Sequence, residues 1–140
     1  MSTCEITLNS YSALLDEMTE KGVSALTIAN NTTAAVEPNP REFGDMGETV
    51  ITVRLHGSPI VVLTEENISV SLCCWNSPTT RARIREFLPI GISLRCEKKR
   101  VFLKENFTDE TREMLEGVDY VGLSLQWDEM LSEWTFQFID

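Results

Sequence analysis

Past residue 104 the chain has one base, Arg112, and over its whole length it has one histidine, His56. A single imidazole rules against histidine-rich ligand sets. The four cysteines, Cys4, Cys73, Cys74 and Cys96, show no C-x-x-C spacing, and adjacent Cys73 and Cys74 face opposite sides of a strand, so reduced thiols and no metal are expected. No run approaches the ~18 apolar residues of a membrane span. Met1-Ser2-Thr3-Cys4-Glu5 also lacks a basic segment leading into an apolar one, and the expected location is therefore cytoplasmic.

Hydrophobic residues, by contrast, make up 42% of the 140 positions and are spread along them, enough to build one core without staples. A single domain over 1–140 is expected. Charge is plentiful and sharply segregated: residues 1–80 carry −7, residues 81–104 carry +6 and residues 105–140 carry −9, for a net −10. Such an excess repels nucleic acid and anionic membrane at long range and steers toward basic partners.

The order of elements follows from periodicity. A strand is expected at Glu5 to Leu8, then a helix from Ser10 or Ser12 to Lys21, with Leu14, Leu15 and Met18 on one face and Gly22 as its stop. Strands follow at Val23 to Ala29 and Ala34 to Val36, and a long loop at Glu37 to Gly47. From Glu48 to Cys74 apolar residues alternate with polar ones, as in an antiparallel meander with one face on a core. A second helix is expected over Arg81 to Leu88, ended by Pro89, and a hairpin over Ile90 to Cys96 and Arg100 to Lys104. A third helix opening at Thr108-Asp109-Glu110 would run to Gly117 with Leu115 inward. Asp119 to Trp127 and Trp134 to Ile139 read as closing strands, with a helix over 126–133 as the alternative. The fold class is α+β: a mostly antiparallel sheet with two or three helices.

Three stretches carry a resemblance: Asn30-Asn31-Thr32-Thr33, Arg54-Leu55-His56-Gly57-Ser58-Pro59-Ile60, and Cys74-Trp75-Asn76-Ser77-Pro78-Thr79-Thr80-Arg81-Ala82-Arg83-Ile84. In order and spacing they resemble a family of small tailed-bacteriophage proteins, over roughly residues 30–103. Thr33, Ser58, Ser77 and Cys74 depart from the family pattern of Tyr, Thr, Thr and Gly. The resemblance implies phage or prophage origin, hence action inside a bacterial host cell, and implies no particular reaction.

Two sets of candidate site residues emerge. The first is an acidic row at Glu105, Asp109, Glu110, Glu113, Glu116, Asp119, Asp128, Glu129 and Glu133, interleaved with Trp127 and Trp134. It is expected to imitate the phosphate row of DNA and to bind a basic, nucleic-acid-binding protein complex of the host, with no catalysis, cofactor or direct nucleic-acid contact. An anti-CRISPR or anti-restriction inhibitor fits that description; a solvated acidic surface is the plainer reading. The second set is Arg54, His56, Thr79 and Thr80. If the strand carrying Arg54 and His56 meets the helix N-terminus at Thr79 and Thr80, they form a phosphate or nucleotide pocket; the plainer reading is that Thr79 caps and that Arg54 and His56 bond to the Asn30-Asn31 turn. A phage regulatory or assembly protein is a further alternative. The basic strip Arg81, Arg83, Arg85, Arg95, Lys98, Lys99 and Arg100 either tracks phosphate or neutralises acids within the fold.

Overall fold

The computed structural model describes residues 11–38, 49–73, 76–106, 108–115 and 120–139. Helix α1 (Tyr11–Lys21) packs Leu14 and Met18, one turn apart, into the core, each burial worth ~1.5–3 kcal/mol. It ends in a Schellman arrangement: Gly22 takes φ 67°, its N–H donates to Thr19 O (3.2 Å), and the Val23 N–H donates to Met18 O (2.9 Å).

Strands β1 (Ala25–Ala29), β2 (Thr32–Pro38), β3 (Thr49–Leu55), β4 (Ser58–Leu63) and β5 (Asn67–Val70) form an antiparallel meander. Its turns are tight. His56 (φ 52°) and Gly57 (φ 81°) make the two-residue β3–β4 connection, in which both central residues take the left-handed region that matches strand twist. Helix α2 (Pro78–Arg85) follows, then β6 (Ile92–Glu97), β7 (Arg100–Glu105), β8 (Thr111–Met114), β9 (Val121–Asp128) and β10 (Glu133–Phe138). Seven strands form one sheet in the order β1-β2-β3-β4-β5-β9-β10, and β6-β7-β8 form a second. All pairings are antiparallel, confirming the α+β class. One cluster joins the two sheets: Ile51, Val53, Val61, Val70 and Leu123 of the large sheet meet Ile84 of α2 and Leu94, Leu103 and Met114 of the small one.

Three expectations need correction. Residues 111–114 are a strand, not part of a third helix: they pair with β7 from Lys104↔Thr111 to Val101↔Met114. The helical reading turns Leu115 inward, but Leu115 is 56% exposed; pairing with the edge of β7 turns Met114 inward instead. Helix α2 starts at Pro78 and stops at Arg85, capped by Ser77, four residues before Pro89. The strand β3 ends at Leu55, so His56 lies in the turn and does not share the strand face of Arg54. The expected strand at 5–8, the loop residues 39–47, and Cys4, Cys74 and Trp75 lie outside the described residues. Cys73 and Cys96 are free thiols. Among the described residues no helix is long and apolar enough to cross a membrane.

Candidate functional site: an acidic, aromatic hairpin tip

Strand alternation places Leu123, Leu125 and Trp127 on one face of β9, and register sets Phe138, Phe136 and Trp134 of β10 directly opposite them. The stripe runs out of cover. Leu123 and Phe138 are buried, Leu125 and Phe136 half-buried, and Trp127 and Trp134 are 50% and 62% exposed. The cause is the length of β5. It begins at Asn67, opposite Ser124, and the last link from its side is Leu125 N–H to Glu66 O (2.7 Å), so beyond that point β9 has β10 as its only paired strand among the described residues. The core-facing stripe thus continues past the body of the domain on a two-stranded ribbon.

Local bonds fix the tip. The Asp128 carboxylate accepts from the N–H groups of Met130 (2.9 Å) and Leu131 (3.2 Å), and Ser132 takes φ 51° to re-enter β10. This closed loop holds Met130 out at 94% exposure, with Leu131 beside it. The rings of Trp127 and Trp134 stack edge to face at 5.7 Å and 72°, the arrangement favoured by aromatic quadrupoles.

The acidic row divides at the small sheet. Its first part is spent within the fold: Glu113 accepts two bonds from Arg100 (2.9 and 2.8 Å), Asp109 pairs with Lys104 (3.1 Å) and Glu110 with Arg112 (2.6 Å). Hydrogen bonding to Arg100 holds the Glu113 carboxyl below its ordinary range. Glu105 is 5% exposed and adds nothing to the surface. Its carboxyl is pushed above the ordinary range, first by burial and then by Glu110, with a smaller push from Asp128 and an opposing hydrogen bond from Thr108. The basic strip is the counterpart: Arg83 reaches Thr32 Oγ1 (3.1 Å) and Glu86, Arg85 reaches Leu94 O (3.3 Å), Arg95 pairs with Glu97 and Arg81 bonds to Asn76.

The second part of the row is different. Asp128, Glu129 and Glu133 frame the tip, and the exposed Glu65-Glu66 turn sits beside it; none of the five is in an ion pair among the described residues. Periodicity placed Trp127 and Trp134 together but passed over Glu65, Glu66, Met130 and Leu131. Two apolar residues inside an acidic turn were the available signal. Glu116 and Asp119 lie outside the described residues.

The alternative cluster is partly assembled. His56, Thr79 and Thr80 line a cavity of about 410 Å³ with Leu55, Ser58, Ile60, Leu72 and Ser77. Arg54 is absent from that lining; it pairs with Glu37 and bonds to Gly57 O (3.3 Å). The helix end is also already satisfied. Ser77 Oγ accepts from Thr80 N–H (3.1 Å), Ser77 O accepts from Arg81 N–H (3.1 Å), and Pro78 has no N–H, leaving the Thr79 amide. Among the described residues the lining holds no lysine or arginine, and its polar groups are His56 and the hydroxyls of Ser58, Ser77, Thr79 and Thr80, so the cavity suits a mostly apolar molecule with a few hydrogen-bonding groups better than a phosphate. The link to the Asn30-Asn31 turn is backbone, His56 N–H to Asn31 O (2.8 Å).

A sequence model described as Kyanoviridae Gp96 protein matches residues 16–120. The chain belongs to this phage protein family. The matched span is wider than the 30–103 of the motif resemblance: it takes in most of α1 and all of the small sheet, and stops just before β9. No curated protein and no solved structure matches the chain.

Proposed function

We propose that this phage protein is a non-enzymatic inhibitor of a host nucleic-acid-binding defence complex, of the anti-CRISPR or anti-restriction kind, which docks through the β9–β10 hairpin tip. The observation that carries the reading is the pairing of exposed Trp127, Trp134 and Met130 with carboxylates that have no counter-ion among the described residues. Aromatics dominate interface energies when a partner covers them, and unpaired carboxylates supply steering toward a basic channel that ordinarily holds phosphates. Compared with the sequence expectation, the acidic surface contracts from the whole 105–133 row to its far end, because the acids nearer the small sheet already face bases of the same chain.

Capture from nuclease-treated lysates of bacteria that carry CRISPR and restriction systems, read by mass spectrometry, tests this. The expected result is enrichment of one nucleic-acid-binding complex that added DNA displaces. Enrichment that DNA leaves untouched, or of proteins with no basic channel, counts against it. The cavity at His56 favours a second reading, a small-ligand module, since its volume lies within the range of ligand sites at ~300–1,000 Å³. A thermal-shift screen of neutral aromatic compounds separates the two, because a ligand at ~100 times its dissociation constant stabilises by about 2.7 kcal/mol.

A further inference from the structure

The two edges of the large sheet are built differently. At one edge, β1 has five residues and a register irregularity between Thr27 and Ala29. At the other, β10 pairs with β9 without a shift through all six of its residues, and it contains no proline, glycine or lysine. Proteins ordinarily blunt sheet edges with bulges, Pro, Lys or short strands, because an open edge is a template for another strand. The β1 edge is blunted and the β10 edge is not.

Register shows which backbone groups that edge offers. Ile139 N–H donates to Gly122 O (2.9 Å), and antiparallel pairs alternate between bonded and non-bonded, so residues 133, 135 and 137 turn their backbone toward β9. Trp134, Phe136 and Phe138 turn theirs outward, where no strand pairs with them among the described residues. The same three residues carry the apolar stripe on one face, while Glu133 and Asp128 lie together on the other.

We propose that β10 receives an extended segment of the partner as an eighth strand, and that this segment alternates apolar and basic residues. Its apolar side chains lie beside Trp134 and Phe136, and its lysines or arginines lie on the face of Glu133. This rests on the docking reading above and names how the docking is made. Charge selects the occupant: a second copy brings another −10 and a second Glu133, and nucleic acid brings phosphates of the same sign. Main-chain bonds supply affinity and alternate side chains supply specificity, as in other strand-addition complexes.

A synthetic peptide of about eight residues alternating lysine and valine, a common strand length, is the probe. Its control is the same sequence N-methylated at alternate residues, which keeps charge and side chains but cannot donate along the pairing edge. Tryptophan fluorescence reports occupancy of the tip, and amide hydrogen exchange by NMR reports strand pairing. The expected result is that the plain peptide slows exchange at Trp134, Phe136 and Phe138 about tenfold or more, leaves residues 133, 135 and 137 unchanged, and outcompetes its methylated control. A fluorescence change with unaltered exchange at the three outward amides, or equal binding by the methylated control, overturns strand addition while leaving the docking reading intact. No fluorescence change with either peptide overturns both. Protection of the three amides that rises with protein concentration alone makes a second copy the occupant and overturns the choice of a basic segment.

Discussion

Replacing Trp134 by alanine separates a binding residue from a structural one. A tryptophan presents roughly 150–250 Å² for burial, and 62% of this side chain is exposed, so a partner that covers it fully removes about 125 Å² from water. At ~25 cal/mol per Å² that is about 3 kcal/mol as a ceiling, which side-chain ordering on association brings to ~2 kcal/mol, or about 30-fold in Kd. Stability should fall by a comparable amount: the covered third, about 75 Å², is worth about 2 kcal/mol and the edge-to-face contact with Trp127 adds ~0.5–1.5, for a loss of ~2–3 kcal/mol. Calorimetric titration of wild type and Trp134→Ala into the captured host complex, beside urea unfolding of each, measures both quantities. Affinity unchanged within about twofold refutes the reasoning, and so does a loss of stability beyond ~4 kcal/mol, which would make Trp134 a core residue.

The other expectations concern particular contacts. Ser77→Ala removes the cap of α2 and should cost ~0.5–2 kcal/mol by urea unfolding, whereas Thr79→Ala should leave stability nearly unchanged. Leu103→Ala, at a fully buried position shared by both sheets, should cost ~2–5 kcal/mol in the same assay; a loss under ~1 would mean that the sheets do not share a core. Glu105 has a carboxyl raised above its ordinary range, so its ionised form is penalised in the folded state; that penalty is fully present above the folded value and vanishes below the unfolded one. Glu105→Gln should therefore raise the urea midpoint at neutral pH and lose that advantage as pH falls through the ordinary carboxylate range. The partner complex should weaken between 50 and 500 mM salt, as the Debye length falls from about 14 to about 4 Å; an affinity flat across that range would point to an apolar interface instead.

The meander is legible in the sequence because Ile51, Val53 and Leu55 recur at a period of two, although β3 turns out to be buried on both faces, with Val50 and Thr52 covered opposite them, and not on one face as the alternation suggests. The closing hairpin is legible for the same reason, with Leu123, Leu125 and Trp127 at a period of two. The segment at Thr111–Met114 is not, because four residues with one buried apolar side chain carry no period, and its structure comes from the unfilled edge of β7. Charge counts show that acids and bases are segregated along the chain; only the fold shows that Arg100 and Lys104 meet Glu113 and Asp109 across strands. Likewise, three of the four residues in the alternative cluster converge on one cavity, but a turn at His56 and a cross-strand pull from Glu37 take Arg54 elsewhere. Composition alone cannot distinguish a paired carboxylate from an unpaired one, and that distinction moves the candidate surface to the tip.

Capture of the host complex by two charge-reversed variants tests the central claim most directly. Glu129→Lys with Glu133→Lys reverses acids of the tip that have no ion-pair partner among the described residues, and Glu110→Lys with Glu113→Lys reverses acids already paired with Arg112 and Arg100. With both variants confirmed folded by circular dichroism, the tip variant should lose the complex and the other should retain it. Retention by the tip variant together with loss by the other would place the contact on the small sheet and contradict the account.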